Sequence, residues 1–272
     1  MDFLLLFENL KYIIIDELHT YKGVFGSHVA HVIRRLQRIC AFYGSNPIFI
    51  CTSATIKNPK ELAESLTNTQ HELIAKSGAP VGKKTFVFYN PPIVHPTFGV
   101  RRSAVLEVRD ISKRLFEAGI QTIIFAKSRV RVEMLVTYLK SLTTKKIGDE
   151  SIQGYRGGYL PSERREIEKG LRDGAIQMVI STNALELGVD IGQLQACVMT
   201  GYPGNIASAW QQAGRAGRRQ DEALIVYVAQ STALDQYVVQ HPSFMLGSSP
   251  EEARINPENI LILMQHLKCA AF

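Results

Sequence analysis

The feature that most narrows the possible folds is an alternation. Short runs of β-branched and apolar residues recur along the chain, separated by stretches long enough for helices. Tyr12-Ile13-Ile14-Ile15, Ile48-Phe49-Ile50-Cys51, Thr122-Ile123-Ile124-Phe125 and Met178-Val179-Ile180 are such runs, and Leu194 to Met199 and Leu224 to Val228 supply two more. They are too short and continuous for amphipathic helices, and residues on both faces of each such strand would be apolar. That pattern belongs to strands covered on both sides. Alternating with helices, such strands predict an α/β fold, a parallel sheet with crossover helices.

The intervening stretches carry helical periodicity. Over 26–43, Val29, Val32, Ile33, Leu36, Cys40 and Tyr43 share one stripe, while His31, Arg34, Arg35 and Arg38 read as a solvated opposite face, with a nucleic-acid-facing stripe as the alternative. Over 129–142, Val132, Leu135, Val136, Leu139 and Leu142 repeat the pattern. A third helix starts near Pro161 and stops at Asp173-Gly174, with proline at the start and glycine at the end. Between 78 and 100, Gly78, Pro80, Gly82, Pro91, Pro92, Pro96 and Gly99 break the rhythm around one short strand, Thr85 to Tyr89. A domain boundary is expected there. Pro242, Gly247, Pro250 and Pro257 mark a second change after Ser231, and 257–270 reads as one more helix.

Composition excludes several classes. The 272 residues suit one large domain or two ordinary ones, and 46% apolar with 21% charged residues argues against wholesale disorder. No apolar run reaches the ~18 residues of a membrane helix. Phe3-Leu4-Leu5-Leu6-Phe7 follows Asp2 and is cut off by Glu8, so it is no signal peptide. Cys40, Cys51, Cys197 and Cys269 form no Cys-x-x-Cys pair, which points away from zinc and redox chemistry and toward a reducing cytoplasm. The net charge of +6 is compatible with a nucleic-acid partner without singling one out.

Polar residues gather where the strands end. Asp16-Glu17, Thr52-Ser53-Ala54-Thr55, Lys127-Ser128-Arg129 and Ser181-Thr182-Asn183 each follow an apolar run. In open parallel sheets, ligands bind outside the carboxyl ends of the strands. Gln211-Gln212-Ala213-Gly214-Arg215-Ala216-Gly217-Arg218-Arg219 adds glycines that allow close backbone approach and guanidinium forks suited to phosphate oxygens. A solvated basic turn is the alternative for that cluster.

In this order the motifs resemble those of superfamily 2 helicases, whose two RecA-like lobes clamp ATP. Asp16-Glu17-Leu18-His19 resembles motif II, the DEAH-type Walker B box, and Ser53-Ala54-Thr55 resembles motif III. Phe125 to Arg129 resembles motif IV, Ser181 to Asp190 motif V, and Gln211 to Arg218 the Q-x-x-G-R-x-G-R form of motif VI. Residues 15–21, Tyr155-Arg156-Gly157-Gly158-Tyr159 and Leu234-Asp235-Gln236-Tyr237 are similar to the YprA/MrfA branch of bacterial DNA-repair helicases.

The resemblance implies roles. Asp16 would hold Mg²⁺, Glu17 would orient the attacking water, and Arg215 and Arg218 would act as arginine fingers from the second lobe. Asp190, with Gly188 beside it, would meet the ATP ribose, and His19 and Gln211 would bridge the lobes at the nucleotide. Ser53 and Thr55 would relay nucleotide state to the nucleic-acid groove. Ser128, Arg129, Arg156, Gly157, Thr182 and Asn183 occupy positions matching phosphate-backbone contacts. Ser128 and Thr182 can equally be helix caps, Arg156 a surface arginine, and Trp210 a packing residue.

The resemblance also implies a Walker A loop, Gly-x-x-x-x-Gly-Lys-Ser/Thr, to cradle the phosphates, and none occurs in these residues. Nor is there the family's four-cysteine metal module. The expectation is therefore a fragment inactive by itself: lobe 1 over 1–79, a linker over 80–99, lobe 2 over 100–230, and an accessory region starting over 231–272. The resemblance implies a monomeric, cytoplasmic bacterial enzyme with ATP, Mg²⁺ and DNA as cofactors and partner, moving 3′ to 5′ in DNA repair. An inactive nucleic-acid-binding remnant and an RNA helicase are the alternatives. An uncovered apolar sheet face is expected near Tyr12 to Ile15.

Overall fold

The computed structural model of the chain describes residues 3–76, 78, 82–142, 148–186, 188–189, 191–192, 194–217 and 222–271. It divides into two compact units, 1–77 with 249–272, and 78–248.

The first unit contains α1 (Phe3–Glu8), β1 (Tyr12–Ile15), α2 (Gly23–Phe42), β2 (Ile48–Cys51) and α3 (Pro59–Thr67). β1 and β2 pair in parallel, Tyr12 opposite Ile48 and Ile15 opposite Cys51. Ile13, Ile15, Phe49 and Cys51 turn toward a core with Leu18, Ala30, Ile33, Leu62 and Leu66. The alternate residues face the other way, and Tyr12 (57% exposed), Ile14 (67%) and Ile48 (62%) leave that face open. An apolar sheet face without cover is a self-association hazard, as the sequence leads one to expect.

The second unit is built on a six-stranded, wholly parallel sheet in the order β3-β10-β9-β6-β8-β7. Its strands are β3 (Lys84–Tyr89), β6 (Thr122–Phe125), β7 (Ile152–Tyr155), β8 (Met178–Ser181), β9 (Ala196–Thr200) and β10 (Ala223–Val228). The short antiparallel pair β4 (Ile93–His95) and β5 (Val100–Arg101) follows β3. The helices are α4 (Ala104–Glu117), α5 (Arg129–Leu142), α6 (Gly148–Ser151), α7 (Pro161–Arg172), α8 (Ile206–Gly214), α9 (Ala233–Gln240) and α10 (Pro242–Leu246). One sheet face packs on Val108, Val132, Leu135 and Leu139 of α4 and α5. The other packs on Leu171, Ala209, Ala213 and Val238 of α7, α8 and α9. Cover on both sides explains why every residue of β6 and β8 is buried.

From β6 the chain runs outward through β7 and back to β8, then crosses β6 to β9 and β10 on the far side. The strand order therefore reverses about β6, a topological switch point of the kind where open α/β sheets hold ligands.

Two expected segments take a different place. Residues 84–89, inside the expected 80–99 linker, form the edge strand β3 beside β10, where Phe86 packs edge-on to Trp210 and Phe88 packs at a tilt against Tyr227. That contact also makes Trp210 a packing residue. The expected 231–272 region is shared: α9 and α10 belong to the second unit, while 249–271, ending in α11 (Ile260–Ala271), packs on the first. This segment covers part of the solvated face expected on α2, while Arg38 is exposed as expected. His31 is buried, its Nε2 against the Pro257 carbonyl at 2.8 Å, and Arg34 reaches Glu258 at 3.4 Å. Val32, expected in the core, is exposed instead.

Candidate functional site

In the first unit, β1 delivers Asp16 and Glu17 at its carboxyl end, next to the end of β2. The Asp16 Oδ1 accepts a hydrogen bond from the Thr52 hydroxyl and another from the Glu17 N–H at 2.9 Å. These donors, the Thr52 hydroxyl foremost, hold the Asp16 carboxyl below the usual carboxylate range. Asp16 is thus ionised at neutral pH, with Oδ2 free of protein partners among the described residues.

Glu17 is one of two described non-glycine residues with positive φ, at φ 52° and ψ 46°. The left-handed conformation costs roughly 1–2 kcal/mol for such a residue. It is held in place because the Glu17 carbonyl accepts both the Thr20 N–H and the Thr20 hydroxyl, each at 2.8 Å. Strain of this kind concentrates at functional sites. The Glu17 Oε2 lies 3.5 Å from Nδ1 of the buried His19. That same Nδ1 lies 3.3 Å from the Ala54 N–H. The expected coupling residues lie alongside: Ser53 is exposed, its hydroxyl on the Ala54 carbonyl at 2.9 Å, and Thr55 is exposed. Thr52, the residue that touches Asp16, had no role assigned from sequence.

In the second unit the ends of β6, β8 and β9 surround a cavity of about 580 Å³ at the switch point. Lys127 follows β6, Thr182 and Asn183 follow β8, and Gly201 to Asn205 follow β9, all at the cavity wall. Thr182 and Asn205 are helix caps, accepting from Ala184 N–H at 3.4 Å and Ser208 N–H at 2.6 Å. Ser128 caps α5, taking the Arg131 N–H at 3.3 Å. The helix-cap readings of Ser128 and Thr182 are therefore correct, and both caps stand at strand ends.

Arg129 is exposed, and its Nη2 would lie 3.5 Å from a Cβ at Gly157. Arg156 is not a lone surface arginine. Its Nε donates to Glu133 at 2.7 Å, and its guanidinium sits 4.8 Å from the Tyr159 ring centre. Gly188 is exposed with φ 66°. Gln211 is half-buried on α8. Asp190 and Arg218 lie outside the described residues.

Arg215 departs from the expected finger. Its Nε and Nη2 donate to the Glu186 carbonyl at 3.2 and 2.7 Å, and its Nη1 to the Val189 carbonyl at 2.7 Å. The fork is occupied by backbone carbonyls of the loop after β8. The Glu186 side chain is buried and accepts from the Ser208 hydroxyl and from Gln212 Nε2 at 3.2 Å, tying the same loop to α8. Arg215 thereby clamps one expected motif to another within the unit. Glu186 carries this contact without having been legible as a site residue, since its partners are far away in sequence.

Two family models match the chain: DEAD/DEAH box helicase over residues 1–62, and helicase conserved C-terminal domain over 107–220. The ATP-dependent helicase YprA of Bacillus subtilis is 67% identical over 267 residues, covering 98% of this chain and 36% of the relative. The ATP-dependent helicase hrq1 of Schizosaccharomyces pombe is 38% identical over 274 residues, covering 98% of this chain and 26% of the relative. A crystal structure of the helicase MrfA bound to DNA and AMPPNP superposes with a TM-score of 0.95 at 66% identity, covering 98% of this chain and 37% of that one. The chain thus spans about a third of the length of relatives such as YprA. With the DEAD/DEAH box match on the first α/β unit and the helicase C-terminal match on the second, the chain is similar to the superfamily 2 helicases YprA and MrfA over nearly all of its length.

Proposed function

We propose that these residues are the motif II to motif VI portion of an ATP-dependent DNA helicase. The observation that carries the DNA half of this reading is the cavity at the switch point of the second unit, where Lys127, Thr182 and Asn183 converge from separate strand ends. Small hydroxyl and amide side chains, helix caps and a lysine suit a phosphate backbone rather than base edges. MrfA, solved with DNA, supports DNA over RNA as the polymer.

The first unit carries the hydrolytic half. Asp16 fits Mg²⁺: it is an ionised, hard oxygen ligand with one oxygen committed to Thr52 and the other open. The ion would neutralise phosphate charge. Glu17 orients and polarises the attacking water, and its strained backbone keeps the carboxylate at the strand end. By the same resemblance, His19 and Gln211 would contact the nucleotide, and Gly188 and Asp190 its ribose. Arg218 supplies the cationic finger, and Arg215 holds the loop after β8 against α8 so that motifs V and VI move together. ATP turnover needs a phosphate-cradling loop that these residues do not contain, so the isolated chain binds DNA without hydrolysing ATP.

The test is fluorescence anisotropy of the 272-residue chain with labelled oligo-dT, and with oligo-U, at 50 and 200 mM salt. Binding of oligo-dT that weakens steeply with salt is expected, because neutralised phosphates supply the affinity. No binding at 50 mM, or binding of oligo-U only, would contradict the reading.

A further inference from the structure

Asp235 is fully buried, yet it takes no part in the proposed chemistry. It lies in α9, within the Leu234-Asp235-Gln236-Tyr237 stretch, and meets hydrogen-bond donors on every side. Its Oδ1 accepts the Tyr202 N–H and the Tyr227 hydroxyl, both at 2.6 Å. Its Oδ2 accepts the Thr232 hydroxyl at 3.0 Å and the Gln230 N–H at 3.3 Å, and lies 3.7 Å from Lys127 Nζ. Burial and the carboxylate together push the Tyr227 hydroxyl far up.

The chemistry of this pocket calls for a carboxylate. Its hydrogen-bond neighbours act as donors and its nearest charge is an ammonium, so an amide here would turn an NH₂ group toward donors. Gly201 meets the same carboxylate: at φ 80°, a Cβ there would fall 2.9 Å from Asp235 Oδ2 and 2.6 Å from Gln230 Nε2. The backbone of the loop after β9 is therefore pressed onto Asp235. Lys127 and Gly201 to Asn205 come from different strands, and both line the switch-point cavity.

We propose that Asp235 is a positioning residue for single-strand binding: its buried carboxylate holds Lys127 and the Gly201–Asn205 loop at the cavity wall so that the ammonium meets a phosphate. This rests on the DNA reading above. Asp235 does not touch the strand and acts through Lys127.

The experiment measures oligo-dT affinity of the 272-residue chain across salt for wild type, Lys127→Gln, Asp235→Asn, the double variant and Tyr227→Phe. Lys127→Gln is expected to weaken binding several-fold and to flatten the log–log salt slope by about 0.7, one phosphate on a single strand. Asp235→Asn should reproduce both changes, and the double variant should lose no more than either single one. Tyr227→Phe removes a donor to Oδ1 but leaves Oδ2 beside Lys127, so it should lower Tm with the wild-type slope. A wild-type slope in Asp235→Asn, losses that multiply in the double variant, or a flattened slope in Tyr227→Phe would each overturn the proposal. Absence of wild-type binding at low salt would overturn the DNA reading instead. Limited acetylation of the wild type gives a readout that needs no folded variant. Lys127 should react more slowly than Lys60 and slow further with oligo-dT; a rate equal to that of Lys60, unchanged by oligo-dT, would contradict the placement.

Discussion

Glu17→Gln, made in a longer protein that also carries a phosphate-binding loop, leaves ATP binding intact and lowers ATP turnover by about 10²–10⁴-fold. The amide preserves size and the left-handed backbone of Glu17, so the loss reports the carboxylate's work on water rather than a refolded strand end. It also leaves Asp16 untouched, whose carboxylate is fixed by Thr52 and the Glu17 N–H. Steady-state hydrolysis with saturating single strand, alongside nucleotide affinity, separates the two effects. Wild-type turnover in this variant would remove Glu17 from the mechanism.

Arg215→Ala destabilises the second unit by about 2–3 kcal/mol, because charge-assisted hydrogen bonds are worth roughly 1.5–3 kcal/mol each and Arg215 is only partly buried. Truncation removes three donor contacts and leaves the Glu186 and Val189 carbonyls without the fork. Arg215→Lys recovers a minor part of the loss, since one ammonium cannot span two carbonyls of a bent loop as a planar guanidinium does. Urea denaturation of the chain reads the difference as a lower midpoint with an unchanged m-value. A wild-type midpoint for Arg215→Ala would mean that the clamp contributes nothing and would return Arg215 to the role of a finger.

Much of the strand framework is readable directly, because β1, β2 and β6 are continuous apolar runs whose ends coincide with polar residues. β7 escapes that reading. Gln153 and Gly154 interrupt the run, and Gly154 is demanded by packing: a Cβ there would fall 2.9 Å from the Tyr159 hydroxyl and 3.4 Å from Val132 Cγ1. The buried stripe of α2 is displaced because the covering segment comes from more than two hundred residues away, and local periodicity cannot report a distant partner. The same holds within the site. Asp16, Glu17, Lys127 and Thr182 are legible as strand-end polar residues. Arg215 is legible as an arginine among glycines, but its partners are backbone carbonyls, which leave no trace in residue identity. Asp235 gathers Tyr202, Tyr227 and Lys127 from three separate strands, and only the sheet order brings those ends together.

Hydrogen–deuterium exchange of the 272-residue chain, with and without saturating oligo-dT at low salt, tests most directly whether the switch-point cavity is where a single strand lies. Slowed exchange at 126–131, 182–186 and 200–208, with little change along β3 and α10, is the expected result. Slowed exchange confined to other segments while oligo-dT is demonstrably bound would contradict it.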